Sequence, residues 1–308
     1  MDISVVVVNW NTRQLLLACL TSVYETIDGL DFEIWVVDNG SQDGSAEAVQ
    51  SQLPAVNIIK NTENLGFAAA NNQAFQRMKG RYAVLLNTDT VLTEGAIREL
   101  YVFIEAHPEV AMACGQLLNS DGSKQNSIAN FPSFGSLLCN ESCLRLLFPK
   151  RYPSKYENYV DPIPVESCVG ACLMVRKTAM EAVGLLDERY FFFFEETDWA
   201  KSMKDAGWQI FFVPSARIFH FQGQTVGHDV RSRFLFYRSR YMYLKKWHRR
   251  SYVILCMAIF LRLLANAFLN LIGVVGTLGL HAGTKKRLDM YARLIAWHVK
   301  GCPEPSVR

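Results

Sequence analysis

Four groups of residues in this 308-residue chain have the types and spacing to do chemistry. Asp89 closes the apolar run Tyr82–Leu86 after Asn87 and Thr88. A carboxylate at such a strand end can hold a hard divalent cation that also binds a diphosphate. It can equally cap the next helix. Asp38 follows Val36 and Val37 and precedes Asn39-Gly40-Ser41. It can accept from a pyrimidine ring N–H or a ribose hydroxyl, or satisfy its own turn. Glu195-Glu196-Thr197-Asp198 sets three carboxylates at the mouth of a helix, directly after the aromatic run Tyr190–Phe194. Acids favour a helix N-terminus on dipole grounds. Aromatic neighbours also desolvate a carboxylate and raise it toward general-base range. His220 ends the stretch after Pro214 and is either structural or a ligand for metal or phosphate.

The elements that must position these groups alternate strand and helix over the first 120 residues. Ile3–Val8 is a continuous β-branched run, suited to a strand buried on both faces. Thr12 opens an amphipathic helix with Leu15, Leu16, Cys19, Leu20 and Val23 on one side. Strands are expected at Phe32–Val37, Val56–Ile59, Tyr82–Leu86 and Val110–Cys114. Helices are expected from Ser45, over Ala68–Met78, and from Thr93 as cap to His107. This rhythm predicts an α/β fold with a mostly parallel, doubly wound sheet. Ligands of such sheets bind beyond the carboxyl ends of the strands. The polar clusters Asn9-Trp10-Asn11, Asp38–Ser41 and Asn87–Asp89 stand at those ends.

Residues 120–165, with five prolines from Pro132 to Pro164, read as a loop-rich insert. Order returns with a strand over Ala171–Val175, helices over Thr178–Val183 and Asp198–Ala206, and a strand Trp208–Val213 that Pro214 ends. The chain carries a net charge of +3, which says little about partners. Its eight cysteines sit mostly among apolar residues, with no secretory signal read before them. They read as reduced thiols in a cytoplasmic compartment. Residues 231–250 hold eight Lys/Arg and no acid, interleaved with aromatics. Residues 251–280 hold one charge, Arg262. That polar interruption, Asn266, Asn270 and the basic flanks suit helices lying in a membrane interface, or packed in a homo-oligomer, rather than a spanning helix.

Taken in order, these segments resemble family 2 of the inverting GT-A glycosyltransferases, over residues 2–247. Val6–Asn11 resembles the family's opening strand and nucleotide loop, and Val36–Ser45 its VDNxSxDGS signature. Asn64–Ala68 with Asn71 and Asn72 resembles NxGFAxxxN, and Leu85–Asp89 the LLNPD form of the metal motif. Gly170–Arg176 with Gly184–Glu188 resembles the acceptor region, and Phe194–Trp199 stands where members carry FEDxDL. Gly207-Trp208 and Pro214 to His220 complete the pattern.

The resemblance implies a Rossmann-like GT-A domain over 1–230, with a nucleotide-sugar half to about 115 and an acceptor half after it, then a hydrophobic helical segment over 231–308. It implies that Asp38 binds the nucleobase, with Asn9, Asn11, Asn64, Gly66 and Asn87 around the nucleotide. Asp89, with His220, would ligate Mg2+ or Mn2+. Glu196 would deprotonate the acceptor, with Glu195 and Asp198 left open as the base. Members with a full metal motif carry an acid where Asn87 stands, so Asn87 is not expected to ligate. The details are similar to bacterial rhamnosyltransferases of surface-polysaccharide synthesis. The expected donor is dTDP-rhamnose, with UDP- or GDP-sugars as alternatives. The expected acceptor is lipid-linked or a glycan, met at the cytoplasmic face of the inner membrane through residues 231–300 in a peripheral way. A nucleotidyltransferase of sugar activation would carry a Gly-rich basic loop where Asn9–Thr12 stands, and a non-catalytic scaffold would have lost the carboxylates. Nucleic acid fits the basic stretch but not the upstream motifs.

Overall fold

Four consecutive valines, Val5 to Val8, make Ile3–Asn9 (β1) a strand that buries both faces. It is followed by Arg13–Thr26 (α1), Phe32–Asp38 (β2), Ser45–Gln52 (α2), Asn57–Lys60 (β3) and Phe67–Phe75 (α3). Next come Tyr82–Asn87 (β4), Thr90–Leu92 (β5), Ala96–Ala106 (α4) and Val110–Leu118 (β6). Then follow Ile128–Ala129 (β7), Phe134–Leu138 (α5), Glu141–Leu147 (α6), Ile163–Pro164 (β8), Ser167–Cys168 (β9), Cys172–Arg176 (β10) and Lys177–Val183 (α7). The chain ends with Glu195–Asp205 (α8), Gln209–His220 (β11), Val230–Trp247 (α9), Tyr252–Gly276 (α10) and Ala282–Val299 (α11). This computed structural model describes residues 1–139, 141–149, 151–154, 157–221, 230–278 and 280–303.

Successive side chains of a strand point to opposite faces. Ile3, Val5 and Val7 therefore join one core with Leu16, Leu20 and Val23 of α1 and Leu100 of α4. Val6 joins the other with Ala70, Ala74 and Phe75 of α3 and Trp199 of α8. Among the described residues the central sheet has nine strands in the order β3-β2-β1-β4-β10-β6-β11-β5, with β8 beside β11. The first four are mutually parallel, as are β6 and β11. β10 runs antiparallel between β4 and β6. The fold is thus α/β with helices on both faces, as the alternating pattern predicts.

Of the boundaries that differ from the sequence reading, three have a clear local reason. Thr93 does not cap α4: its hydroxyl donates to Arg217 O at 2.7 Å, Gly95 at φ 75 precedes the helix, and residues 90–92 form an extra strand. β11 does not stop at Pro214 but continues to His220 through an irregularity between Val213 and Arg217. Gly115 faces that bulge, where an added Cβ would lie 2.4 Å from Ala216 O. α8 starts at Glu195, three residues earlier than expected, because Phe193 and Phe194 both take left-handed φ values, 69° and 72°, and turn the chain into it. Such conformations are costly for bulky residues and tend to mark functional turns.

The chain divides into two compact units, Met1–Phe131 with Phe148–Thr225, and Pro132–Leu147 with Val226–Arg308. The sequence reading kept 132–147 in the acceptor half and set the boundary at 230. The structure instead joins that segment to the C-terminal helices, through bonds such as Arg262 Nη1 to Leu137 O at 2.8 Å. Within the second unit α10 buries Leu255, Ile259 and Leu263, four residues apart on one face. Ile254, Met257, Leu261, Phe268 and Ile272 are exposed. By length and composition α10 can cross a bilayer.

Candidate active site

Sheet register brings the polar strand ends together at one edge. Asn9 stands opposite Asp38, and Val8 opposite Asn87. Asn9 Nδ2 donates to Asp38 Oδ1 at 2.8 Å and to Ser41 Oγ at 3.0 Å, while Ser41 N–H donates to Asp38 Oδ2 at 3.0 Å. Asp38 is buried with one partner on each oxygen. A carboxylate has about four acceptor sites, so capacity remains for a ligand donor. Asn11, in the left-handed region at φ 55, receives Gln42 N–H on its Oδ1 at 2.8 Å. Asn39 ties this loop to the next by donating to Asn64 Oδ1 and Gly66 O, both at 3.1 Å. Asn64 Oδ1 also accepts Gly66 N–H at 2.9 Å. Gly66 has φ 88, and a Cβ there would lie 2.6 Å from Phe191 O. Phe67 N–H donates to that same carbonyl at 2.8 Å. Asn64 and Gly66 therefore hold the aromatic run 190–194 against the nucleotide-side loop.

Beyond β4 the chain turns at Asp89 into β5, which pairs with the end of β11 so that His220 stands opposite Thr90. Phe221 N–H donates to Asp89 O at 2.8 Å. These bonds place His220 Nε2 at 3.5 Å from Asp89 Oδ1, both residues buried. Gln125 decides the state of that imidazole, and sequence reasoning missed it. Its Nε2 donates to His220 O at 2.6 Å and to Asn119 Oδ1 at 2.7 Å, so its Oε1, at 2.9 Å from His220 Nδ1, must accept. Nδ1 then carries a proton, which leaves Nε2 as the ring nitrogen that could ligate a metal. Asp89 Oδ1 is buried with no hydrogen-bond partner. A buried carboxylate oxygen left without a hydrogen bond costs energy, a cost that a cation held between Asp89 and His220 would offset. One carboxylate oxygen and one imidazole nitrogen are a donor set that could hold a divalent cation such as Mn2+ or Mg2+. Among the described residues no group of three or more His, Cys, Asp or Glu gathers as a metal site. The buried thiols Cys19, Cys114 and Cys172 are all pushed up by burial, Cys19 to about 12, which leaves them uncharged.

The three acids in the first turn of α8 have three different environments. Asp198 is buried and accepts the Tyr190 hydroxyl at 3.3 Å. Glu195 is buried, its Oε2 without a partner, and burial together with the charge of Glu196 raises it well above the usual carboxylate range. Glu196 stays partly exposed, and burial of the rest pushes it up to about 7. Its side chain lies over Gly170, where an added Cβ would be 3.6 Å from the carboxyl carbon. The next residue, Ala171, accepts Asn87 N–H at 2.9 Å. Gly170 and Ala171 thereby join the Glu196 side of the site to the strand end that carries Asp89.

Comparison with known proteins gives the family and the fold. Residues 4–184 match Glycosyl transferase family 2. The chain is 30% identical over 234 residues to N-acetylglucosaminyl-diphospho-decaprenol L-rhamnosyltransferase of Mycobacterium tuberculosis, covering 70% of this chain and 75% of that one. It is 27% identical over 202 residues to the low-salt glycan biosynthesis hexosyltransferase Agl10 of Haloferax volcanii, covering 64% and 60%. Among solved structures, mannosyltransferase PcManGT from Pyrobaculum calidifontis in complex with GDP-Man and Mn2+ has a TM-score of 0.59 at 19% identity, covering 97% of this chain and 86% of that one. Fold and strand-end site define a glycosyltransferase of GT-A architecture. The chain belongs to glycosyl transferase family 2.

Proposed function

We propose that the protein is an inverting, divalent-metal-assisted glycosyltransferase. It moves a sugar, L-rhamnose from dTDP-rhamnose, to a hydroxyl of a lipid-linked or polysaccharide acceptor at the cytoplasmic face of the inner membrane. The observation that carries this reading is the buried pair Asp89 Oδ1, which has no hydrogen-bond partner, and His220 Nε2, 3.5 Å apart at the carboxyl edge of the sheet. The mycobacterial relative, named for rhamnosyl transfer to a diphospho-decaprenol-linked sugar, supports the choice of sugar and acceptor. Solved neighbours that hold Mn2+ with GDP-Man or with UDP support the metal.

In this reading residues 1–115 hold the donor, with Asp38 accepting from the nucleobase and Asn9 fixing the carboxylate's angle. Asp89 and His220 would hold the cation, whose charge offsets that developing on the departing diphosphate. Glu196, partly exposed beside Gly170, takes the proton of the acceptor hydroxyl. The acceptor oxygen forms a bond to the anomeric carbon as the bond from that carbon to the diphosphate oxygen breaks on the opposite face. One displacement inverts the centre. Glu195 and Asp198 fit the base role less well, being buried. The second unit, with the exposed apolar face of α10 and the basic α9, rests on the membrane surface.

The reading is tested by thermal shift with dTDP, UDP, GDP, CDP and ADP, each with and without Mn2+. A ligand at a hundredfold excess over its Kd stabilises the native state by about 2.7 kcal/mol. The expected result is a shift of Tm for dTDP that requires Mn2+. A shift equal in size without metal overturns the metal assignment, and no shift with any nucleotide overturns the donor assignment.

The tautomer argument gives a sharper test of His220. Gln125→Leu removes the group that holds the proton on Nδ1. Outer-shell partners of metal-bound histidines are typically worth tenfold to about a hundredfold in metal affinity. Mn2+ affinity in the presence of dTDP is expected to fall by that amount, and the imidazole 15N shifts of the metal-free protein to move toward the Nε2–H form. Unchanged 15N shifts would show that Gln125 does not set the tautomer.

A further inference from the structure

The transfer chemistry leaves the aromatic run Tyr190–Phe194 without a task. Both ends of the run are fixed. On the near side Tyr190 N–H donates to Asp187 O at 3.1 Å, and Phe191 O accepts Phe67 N–H at 2.8 Å. Phe191 sits so close to Gly66 that a Cβ there would stand 2.6 Å from its carbonyl oxygen. On the far side Phe194 O accepts Asp198 N–H at 2.8 Å, a bond that opens α8. Trp199 of that helix donates from Nε1 to Gly184 O at 2.8 Å, and its ring stacks on Phe75 at 5.7 Å. Three residues, Phe192 to Phe194, are left between the Phe191 anchor and Glu195. They turn the chain by placing Phe193 at φ 69° and Phe194 at φ 72°.

Glycine takes positive φ at no steric cost, whereas a bulky side chain is strained there. Strained backbone persists only where its surroundings over-determine it, and it gathers at active sites. Here the rings hold the turn. Phe194 is buried, and Phe193 meets Phe192 edge-on at 4.6 Å, which meets Phe67 in the same way at 6.2 Å. A glycine turn would stay free to visit both signs of φ, while a turn locked by packed rings has one geometry. What that geometry aims is Glu196, the second residue of α8, whose carboxyl lies over Gly170, 3.6 Å from where a Cβ would stand. Ala171 O, next in the chain, accepts Asn87 N–H at 2.9 Å. The direction in which α8 starts therefore sets Glu196 relative to the strand end that carries Asp89.

We propose that Phe193 and Phe194 are positioning residues for the transfer: their left-handed turn, held by ring packing, fixes the start of α8 and with it the direction of the Glu196 carboxylate. This rests on the reading of Glu196 as the base. A turn that served the fold alone would be met by glycine at both positions, which relieves the backbone. The phenylalanines give up that relief and leave the base a single orientation.

The test compares Phe193→Gly with Phe193→Ala in the full chain. Both remove the ring, and they differ in their tolerance of positive φ. In ordinary backbone alanine gives the more stable protein, and at a left-handed residue glycine does. Phe193→Gly is therefore expected to melt above Phe193→Ala. It is also expected to loosen the base. The Glu196 carboxyl, titrated by 13C NMR, should fall from about 7 toward 4.5 in the glycine protein as the group swings into water, and stay raised in the alanine protein. Release of dTDP from dTDP-rhamnose, with water as acceptor, should have a kcat about tenfold to a hundredfold lower for glycine than for alanine at an equal KM for the donor, the size of loss that follows a misplaced reacting group. Phe193→Tyr, which keeps the ring, should match the wild type in all three measurements. A glycine protein that melts at or below the alanine protein overturns the strain. Equal Glu196 titration or equal kcat in the two overturns the positioning. Should the truncated proteins fail to fold, Phe193→Asn, more at ease at positive φ, and Phe193→Leu are compared in the same way. Normal turnover in Glu196→Gln would strike the base reading instead, while the melting order and the titration still report the turn.

Discussion

Glu196→Gln is expected to lower kcat by about a hundredfold to ten-thousandfold, the usual contribution of a general base, while the Mn2+-dependent dTDP shift stays at its wild-type size. The substitution keeps shape and removes only the ability to take a proton. Glu196 is the one acid of the three in the first turn of α8 that remains partly exposed, so of these it alone can meet an incoming hydroxyl without rearrangement. Its position near pH 7 has a direct kinetic reading. A base works in its ionised form, so turnover at saturating substrate should rise with pH through a midpoint of about 7 and flatten above it. Glu195 is also raised, by burial and by the charge of Glu196, so the pH profile has to be read together with the substitutions. Retention of turnover in Glu196→Gln together with its loss in Glu195→Gln would move the base by one residue.

The same carboxyl links activity to stability. Its pKa is higher folded than unfolded, from 4.5 to about 7, so between those values the native state holds the extra proton. Stability contributed by the group is therefore full below pH 4.5 and is lost as pH rises toward 7. Glu196→Gln should flatten that part of the stability profile and leave the protein at least as stable at pH 8 as the wild type. Catalytic carboxylates held out of water commonly carry such a cost.

Much of this site is legible in the chain before any coordinates, and the reasons are physical. Val5 to Val8 and Val36-Val37 can only be buried strands, and parallel packing of such strands puts Asn9, Asp38 and Asn87 at one edge. What escaped were features set by distant partners. Gln125 sits after the Asp121-Gly122 turn with no periodic signal, and only the pairing of β6, β5 and β11 brings it to His220. The early start of α8 depends on two phenylalanines in a backbone conformation that residue type disfavours. Pro214 reads as a strand end, yet β11 absorbs it in a bulge because Gly115 opposite leaves room for Ala216 O. The segment 132–147 has proline punctuation like the rest of the insert, but Arg262 and His248 bind its carbonyls and draw it to the C-terminal helices. None of these contacts has a local pattern that could announce it.

Asp89→Asn is expected to remove the Mn2+-dependent part of dTDP binding altogether and, without ligand, to leave Tm unchanged or higher. The two halves of this outcome have one cause. Asp89 Oδ1 is buried, makes no hydrogen bond and lies 3.5 Å from His220 Nε2. In the absence of a cation a buried, unpaired charge opposes folding, and a structural aspartate would not be left so. Asparagine has the same shape and no charge, and its amide can either donate to or accept from the imidazole nitrogen across the 3.5 Å gap. The folded state therefore loses nothing that the apo protein uses. What it loses is the anionic oxygen that a hard divalent cation needs beside the diphosphate. The wild-type gain of about 2.7 kcal/mol at a hundredfold excess of ligand should collapse to whatever the nucleotide achieves without metal. Thermal melts of the two proteins, with and without Mn2+ and dTDP, measure both halves at once. A full metal-dependent shift in Asp89→Asn would remove Asp89 from the cation. A drop of several degrees in the unliganded Tm would mean that the carboxylate is held by the fold for the fold's own sake, and the helix-capping role open to a strand-end aspartate would have to replace the catalytic one.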